Sequence, residues 1–406
     1  MTSARNSWRT DRFTQFCILF CVAFFAIENL NHKFQLYDFE VYYNAASKIL
    51  AHEEFYNQAF GLPSGIYKYS PSAAFLFVPF CFLPLPAAFI VYYVITCLIL
   101  YFTFQKALGL IKSLAPELHL NEAWFKRSPI LFASFFVSLT ALTRELHLGN
   151  VNLLLLFLSL IHIEQFIKQK WAVSGAVLAL IILIKPHFLV LVPLMLLTGR
   201  IQPLLYFSGF LIIGTLLPVL YFGWSDYLVQ MKEWFATMSA HNSQSELITH
   251  PNTVHHWLFK VLPPDFPQAL NLVTLLTVFG FLAAMILIRR GGAVIKTEAF
   301  YALSAMVLIS LVPNITVTDT EHFLLALPLI IYLSVILQVR PMSVGHWLIV
   351  VSFIAYGFNI YDLWGRDLSA LFEYYGLLGI GNFGIIVLSV WNLKKMVPKM
   401  NAARID

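Results

Sequence analysis

Two ionisable side chains stand where apolar sequence surrounds them. Asp38 follows the first long apolar run in "LYDFEVYYNAASKIL", residues 36–50, and Lys185 sits inside "IILIKPHFLVLVPLMLL", beside Pro186 and His187. A carboxylate held at a water–lipid boundary can take a proton from a hydroxyl as a general base. A lysine within apolar sequence needs an anion, and a lipid phosphate is the one at hand. Plainer readings exist for both: an acid at a helix start meets the helix dipole or caps it, and a lysine at a broken helix end snorkels. Three further segments are rich in polar groups. "LTRELHLGNVNLLLL", residues 142–156, sets Arg144, Glu145, His147, Asn150 and Asn152 between two apolar runs, as either a cavity lining or a hydrophilic turn. "SAHNSQSELITHPNTVHHW", residues 239–257, offers His241, Asn242 and neighbours of the kind that bind sugar hydroxyls. His241, His250, His255 and His256 have no zinc-type spacing. "PNITVTDTEHFLLALPL" puts Asp319, Glu321 and His322 at the mouth of another apolar run, where Asp-x-Glu suits a divalent cation or a solvated loop. A P-loop, a dinucleotide fingerprint, G-x-S-x-G and H-E-x-x-H are all absent. An enzyme of this kind needs an activated substrate already in the membrane, and neither a cofactor nor a metal is called for.

The elements that must position these groups are membrane helices. With 59% apolar and 12% charged residues, the chain departs from the balance of a soluble domain. Its mean hydropathy of +0.75 comes from runs long enough to cross a bilayer as helices. The expected fold is therefore an all-α polytopic bundle, a single domain over residues 1–406. Spans are predicted at 13–30, 71–85, 86–106, 129–142, 150–167, 172–198, 203–222, 270–288, 298–313, 322–338, 343–361 and 376–393. Arg5, Arg9 and Arg12 precede the first and Lys394, Lys395 and Lys399 follow the last, while Arg200, Arg289, Arg290, Lys296 and Arg340 mark short loops. By the positive-inside rule both termini are cytoplasmic, so the spans are even in number, and twelve fits. The long polar segments 31–70 and 223–269 then face outward. Two features strain this count: Lys185–Pro186 would break the span 172–198, and the basic loop 107–128 falls on the outer side. The topology between residues 107 and 198 stays open. The net charge of +5 is loop bias, with no basic stripe for nucleic acid. Cys17, Cys21, Cys81 and Cys97 lie within apolar runs as packing residues. After Asp38, Val41, Tyr42, Ala45, Ala46, Ile49 and Leu50 recur at helical spacing with Glu40, Asn44, Ser47 and Lys48 between them. That pattern predicts a helix lying along the membrane surface.

Taken in order, Asp38, "YSP" (69–71), "LGNVN" (148–152), "LIKPH" (183–187), "HNSQS" (241–245) and "PNITVTDTEHF" (313–323) resemble the GT-C glycosyltransferases, and most closely glycosyltransferase family 87. The resemblance implies an inverting transfer of a hexose, mannose above all, from a polyprenyl-phosphate donor to a glycolipid or polysaccharide acceptor on the outer face of the cell membrane. It implies Asp38 as general base. Lys185, with Arg144 and His187, would meet the donor phosphate. Tyr69, His147, Asn150, Asn152, His241, Asn242, Glu321 and His322 would line the substrate path. The family's Gly–Gln–x–Asn turn reads here as Gly149-Asn150-Val151-Asn152. Membrane lipids are partners in this reading and nucleic acid is not. Two other classes share the composition: a secondary transporter of a polar or anionic solute, which should carry its ionisable groups at midplane on broken helices, and a lipid-linked polysaccharide polymerase or ligase.

Overall fold

A computed structural model describes residues 12–62, 65–116, 127–241, 243–261, 267–290, 296–317, 319–340 and 342–396. Arg5, Arg9, Lys399 and Asn242 lie outside the described residues. Among the described residues every regular element is a helix, with one isolated antiparallel bridge between Ala59 and Ile66. Six helices are long and apolar enough to cross a membrane: Arg12–Leu30, Leu85–Leu114, Leu272–Arg290, Thr297–Ile315, Thr320–Val339 and Leu377–Lys394. Two bent pairs, Arg127–Val137 with Leu139–Leu148 (66°) and Ile201–Leu216 with Val219–His241 (82°), bring the number up to eight if each pair is one span. The remaining apolar helices are shorter, and at 1.5 Å per residue a helix such as Trp171–Ile184 falls well short of the ~30 Å hydrocarbon core.

Two of the twelve apolar stretches turn back instead of crossing. The first is Pro71–Phe82. Its start is held by Tyr69, whose hydroxyl lies 3.0 Å from that of Tyr42. Its end is held by Tyr43, whose hydroxyl donates to the Leu83 carbonyl at 2.9 Å. Tyr42 and Tyr43 are neighbours on the helix Tyr37–Leu50, so both ends of the stretch sit on one side. The second is 171–200. Trp171–Ile184 rises to Lys185, whose extended backbone (φ −130°, ψ 106°) and following proline end the helix. The chain then returns through Pro186–Val190 and Leu191–Leu197 to Arg200, whose guanidinium lies 5.7 Å from the Trp171 ring. Lys185 is thus the tip of a re-entrant hairpin.

These two turns reverse the side of every loop between them. Arg127 donates to Gln105, Lys106 pairs with Glu164 at 2.6 Å, Glu164 pairs with Lys168 at 2.7 Å, and Gln169 and Arg200 both reach Glu298. The flanks of the loop 107–128 therefore gather with Arg200 at one end of the bundle, not across from it as the twelve-span count required. The turn at 148–152 moves in the opposite sense, to the end that carries Asp38. The two long polar segments also meet there. Asn57 donates to Glu233 at 2.7 Å, and the Trp234 indole donates to the Lys68 carbonyl at 3.3 Å.

The helix Tyr37–Leu50 forms as its spacing predicts, but its apolar stripe is covered by protein. Phe39 stacks on Tyr92 with ring centroids 4.2 Å apart and meets Phe80 edge-on at 5.2 Å. Val41, Tyr42, Ala45, Ala46 and Ile49 are buried, and only Leu50 of the stripe stands exposed. Aromatic side chains on Pro71–Phe82 and Leu85–Leu114 offer this face closer packing than lipid does.

Candidate active site

Where the hairpin tip, the Asp38 helix and the turn 148–152 converge, a cavity of about 330 Å³ opens. Its walls carry Asp38, Tyr69, Asn150, Asn152, Lys185, His187, His241 and His322. Eight of the twelve side chains to which the resemblance gives a role thus face one space.

Asp38 stands in the first turn of its helix, whose N-cap is Leu36 and has no side-chain cap. Its carboxylate therefore does not serve as a cap; it accepts a hydrogen bond from the Asn150 side chain. That contact depends on Gly149, which ends the helix Leu139–Leu148 in the left-handed region (φ +66°). A Cβ on Gly149 would come within 2.8 Å of the Leu36 Cβ and 3.1 Å of the Phe39 Cβ, so the residue lets the Asp38 helix press against the turn. Asn150 is oriented by its own backbone neighbour: the Val151 N–H donates to Asn150 Oδ1 at 2.7 Å, which turns the amide hydrogens toward Asp38. Burial, followed by the charge of Glu321, pushes the Asp38 carboxyl up to about 6, against the hydrogen bond from Asn150, which pulls it down.

Opposite Asp38, the Lys185 ammonium donates to Asn152 Oδ1 at 2.7 Å and to His322 Nε2 at 2.7 Å, with the Tyr69 ring 5.7 Å away. As acceptor at Nε2, His322 carries its proton on Nδ1, which faces Glu321 at 3.4 Å. Asn152 is fixed in turn by Glu145, which takes its amide at 3.1 Å and the Leu153 N–H at 2.7 Å. The hairpin is tied to the wall by Ser70, which caps Pro71–Ala74 through the Ala73 N–H and donates to the Leu183 carbonyl.

Three side chains stand elsewhere. Arg144 is half-exposed outside the cavity and faces Glu321 at 3.8 Å. His147 pairs with Glu28 at 2.7 Å, behind the turn. Glu321 lies behind the wall, 1% exposed, and reaches the site only through its neighbours. Arg144 and His147 fall away because they follow the helical register of Leu139–Leu148, where Glu145 takes the inward face. Lys68, Glu246 and His250 also line the cavity, as does Asp319. Nothing in the local sequence marks Lys68, which sits in a polar stretch; only the fold carries it inward. Among the described residues no three His, Cys, Asp or Glu come together as a metal site, and none of the four cysteines is in a disulfide.

The arrangement sets a half-buried carboxylate across a cavity from a buried lysine, with amides and imidazoles between. It can take a proton from a hydroxyl on one side and hold an anion on the other. No curated protein and no solved structure matches the chain. A model of glycosyltransferase family 87 matches residues 67–313, a stretch that includes Tyr69, the 148–152 turn, Lys185 and His241 while leaving Asp38 and His322 to be brought in by the fold. With more than half of its length so matched, the chain belongs to glycosyltransferase family 87.

Proposed function

We propose that this glycosyltransferase moves a hexose, mannose in the first place, from a polyprenyl-phosphate donor to a hydroxyl of a glycolipid or polysaccharide acceptor at the outer face of the cell membrane. The observation that carries this reading is the pairing of Asp38 and Lys185 across a single cavity. Asp38 takes the proton of the acceptor hydroxyl as its oxygen bonds to the anomeric carbon. The bond from that carbon to the phosphate oxygen breaks, and the electron pair leaves on the phosphate, inverting the centre. Lys185 and Lys68, with His187, stand where that charge develops, and stabilising it lowers the barrier. The amides and imidazoles of Asn152, His241 and His322 suit the sugar hydroxyls between the two ends. The absence of a nucleotide-binding motif fits a donor that arrives already activated in the lipid.

The test is transfer from radiolabelled polyprenyl-phosphate-mannose to a membrane extract by the purified protein in lipid nanodiscs, wild type beside Asp38→Asn. The wild type should transfer label, and the variant should lose about 10²- to 10⁴-fold in rate, the range for loss of a general base, while binding the donor as before. A variant that keeps more than about a tenth of the rate would move the role of base away from Asp38; Asp319, on the same cavity wall, is then the next carboxylate.

A further inference from the structure

Glu321 is buried and faces no open space, yet it touches both halves of the site. One oxygen accepts from the Asn150 amide at 3.4 Å, the amide whose other hydrogen serves Asp38. The same oxygen lies 3.4 Å from His322 Nδ1, and His322 Nε2 takes the Lys185 ammonium. Its second oxygen has no hydrogen-bond partner among the described residues and lies 3.8 Å from the Arg144 guanidinium, which supplies a counter-ion from outside the cavity. A carboxylate placed this way cannot reach sugar without displacing Asn150 or His322. Resting on the transferase reading above, we propose that Glu321 is a positioning residue that acts on Asp38 through Asn150, holding the base toward the acceptor and keeping it electron-rich.

Two arguments support this. Asn150 has two amide hydrogens and its oxygen is taken by Val151, so sharing the amide between two carboxylates fixes its plane and with it the direction of Asp38. A second buried carboxylate also repels the ionised form of the first. After burial, Glu321 is the largest cause that raises the Asp38 carboxyl, ahead of Asp319, while Asn150 and Lys185 oppose it. Tyr42 on the same helix, and Tyr69 and Tyr92 on the elements packed against it, are further titratable neighbours of Asp38. A base with raised proton affinity is a stronger acceptor for a hydroxyl proton near neutral pH.

The experiment is a pH profile of kcat/KM for transfer from polyprenyl-phosphate-mannose, with the full chain in nanodiscs, for wild type, Glu321→Gln and Asn150→Ser. Glu321→Gln keeps the shape and an acceptor for Asn150, and its acid limb should move down by about one pH unit. Asn150→Ser removes the donor that lowers Asp38, and its limb should move up. A purely structural role lowers the rate in both with the limb unmoved. If either variant is too slow to profile, an infrared titration with ¹³C-labelled aspartate reads the Asp38 carboxyl without turnover, assigned by its loss in Asp38→Asn. A limb or band in Glu321→Gln that coincides with wild type, or that moves upward, overturns the inference while transfer stands. Absence of transfer by the wild type overturns the transferase reading itself. If Glu321→Gln does not yield a monodisperse protein, Glu321→Asp, which draws the carboxylate back from Asn150, takes its place, and a limb that coincides with wild type overturns the inference.

Discussion

Asp38 and Lys185 are set apart by their surroundings more than by their types. The carboxyl is pushed up to about 6 because it is poorly solvated and stands near the charge of Glu321, against the hydrogen bond from Asn150. As a base it works ionised, so transfer should rise about tenfold per pH unit up to about pH 6 and level off above it. The same shift acts on stability in the other direction. The folded chain holds this proton more tightly than the unfolded one, so the contribution of Asp38 is fully present below the ordinary carboxyl range and is lost as pH rises through about 6. Thermal unfolding monitored across pH 4–7 (roughly the window between those values) checks the sign, and Asp38→Asn should flatten it. For Lys185, a buried cation bonded to Asn152 and His322 offers its third proton to an anion. Lys185→Ala should weaken donor use far more than Lys185→Arg, by about 10²-fold or more in kcat/KM. Equal donor dependence in wild type and the alanine variant would leave the lysine with a structural role only.

At the scale of elements, the site depends on a helix pressed against a turn. Gly149 has φ +66° and leaves room for Leu36 and Phe39, so Gly149→Ala meets both a left-handed backbone and a collision. The backbone term alone is about 1–2 kcal/mol. The collision is relieved only by moving the Asp38 helix off Asn150. Transfer should therefore fall by about tenfold to 10²-fold, more than the loss of stability explains, because misplacing a catalytic group by about 1 Å costs that much. Rates compared at temperatures well below the variant's own melting point test it; a fall that tracks unfolded fraction alone would deny the turn its positioning role. The hairpin 171–200 shows the same dependence. A proline after Lys185 ends a helix that would otherwise carry the lysine into apolar packing, and the return leg brings Arg200 back beside Trp171.

Across the whole molecule, the two re-entrant stretches have one consequence for sidedness. Removing both from the expected twelve spans leaves an even number, so the expectation that the termini share a side is unchanged. The flanks of the loop 107–128 now join Arg200 at the end rich in Lys and Arg, as the positive-inside rule asks. The cavity lies at the other end, beside the joined segments 31–70 and 223–269. In a background with the native cysteines replaced, Glu54→Cys and Asp226→Cys should react with an impermeant maleimide in intact cells, and Lys168→Cys only after permeabilisation. The opposite pattern would place the cavity in the cytoplasm.

The sequence by itself determined the class and pointed to most of the side chains that meet in the cavity. Long apolar runs without the alternation of a barrel strand read as membrane helices, since a backbone in hydrocarbon must satisfy its own hydrogen bonds. Asp38, Asn150, Asn152, Lys185 and His322 were legible because a polar group in an apolar run is costly and seldom idle. The same argument fails for Lys68, which stands in polar sequence, and for telling Glu145, turned inward to Asn152, from Arg144, turned outward. Hydropathy counts apolar residues but does not see direction, so 71–82 and 171–200 read as spans although both return to their starting side. Only tertiary contacts fix direction: Tyr42 and Tyr43 holding both ends of one stretch, Arg200 on Trp171 closing the other. That is also why the tertiary structure alone placed the turn 148–152 beside Asp38. The side of a loop depends on how many helices before it cross, and each crossing is decided by packing partners far away in the chain.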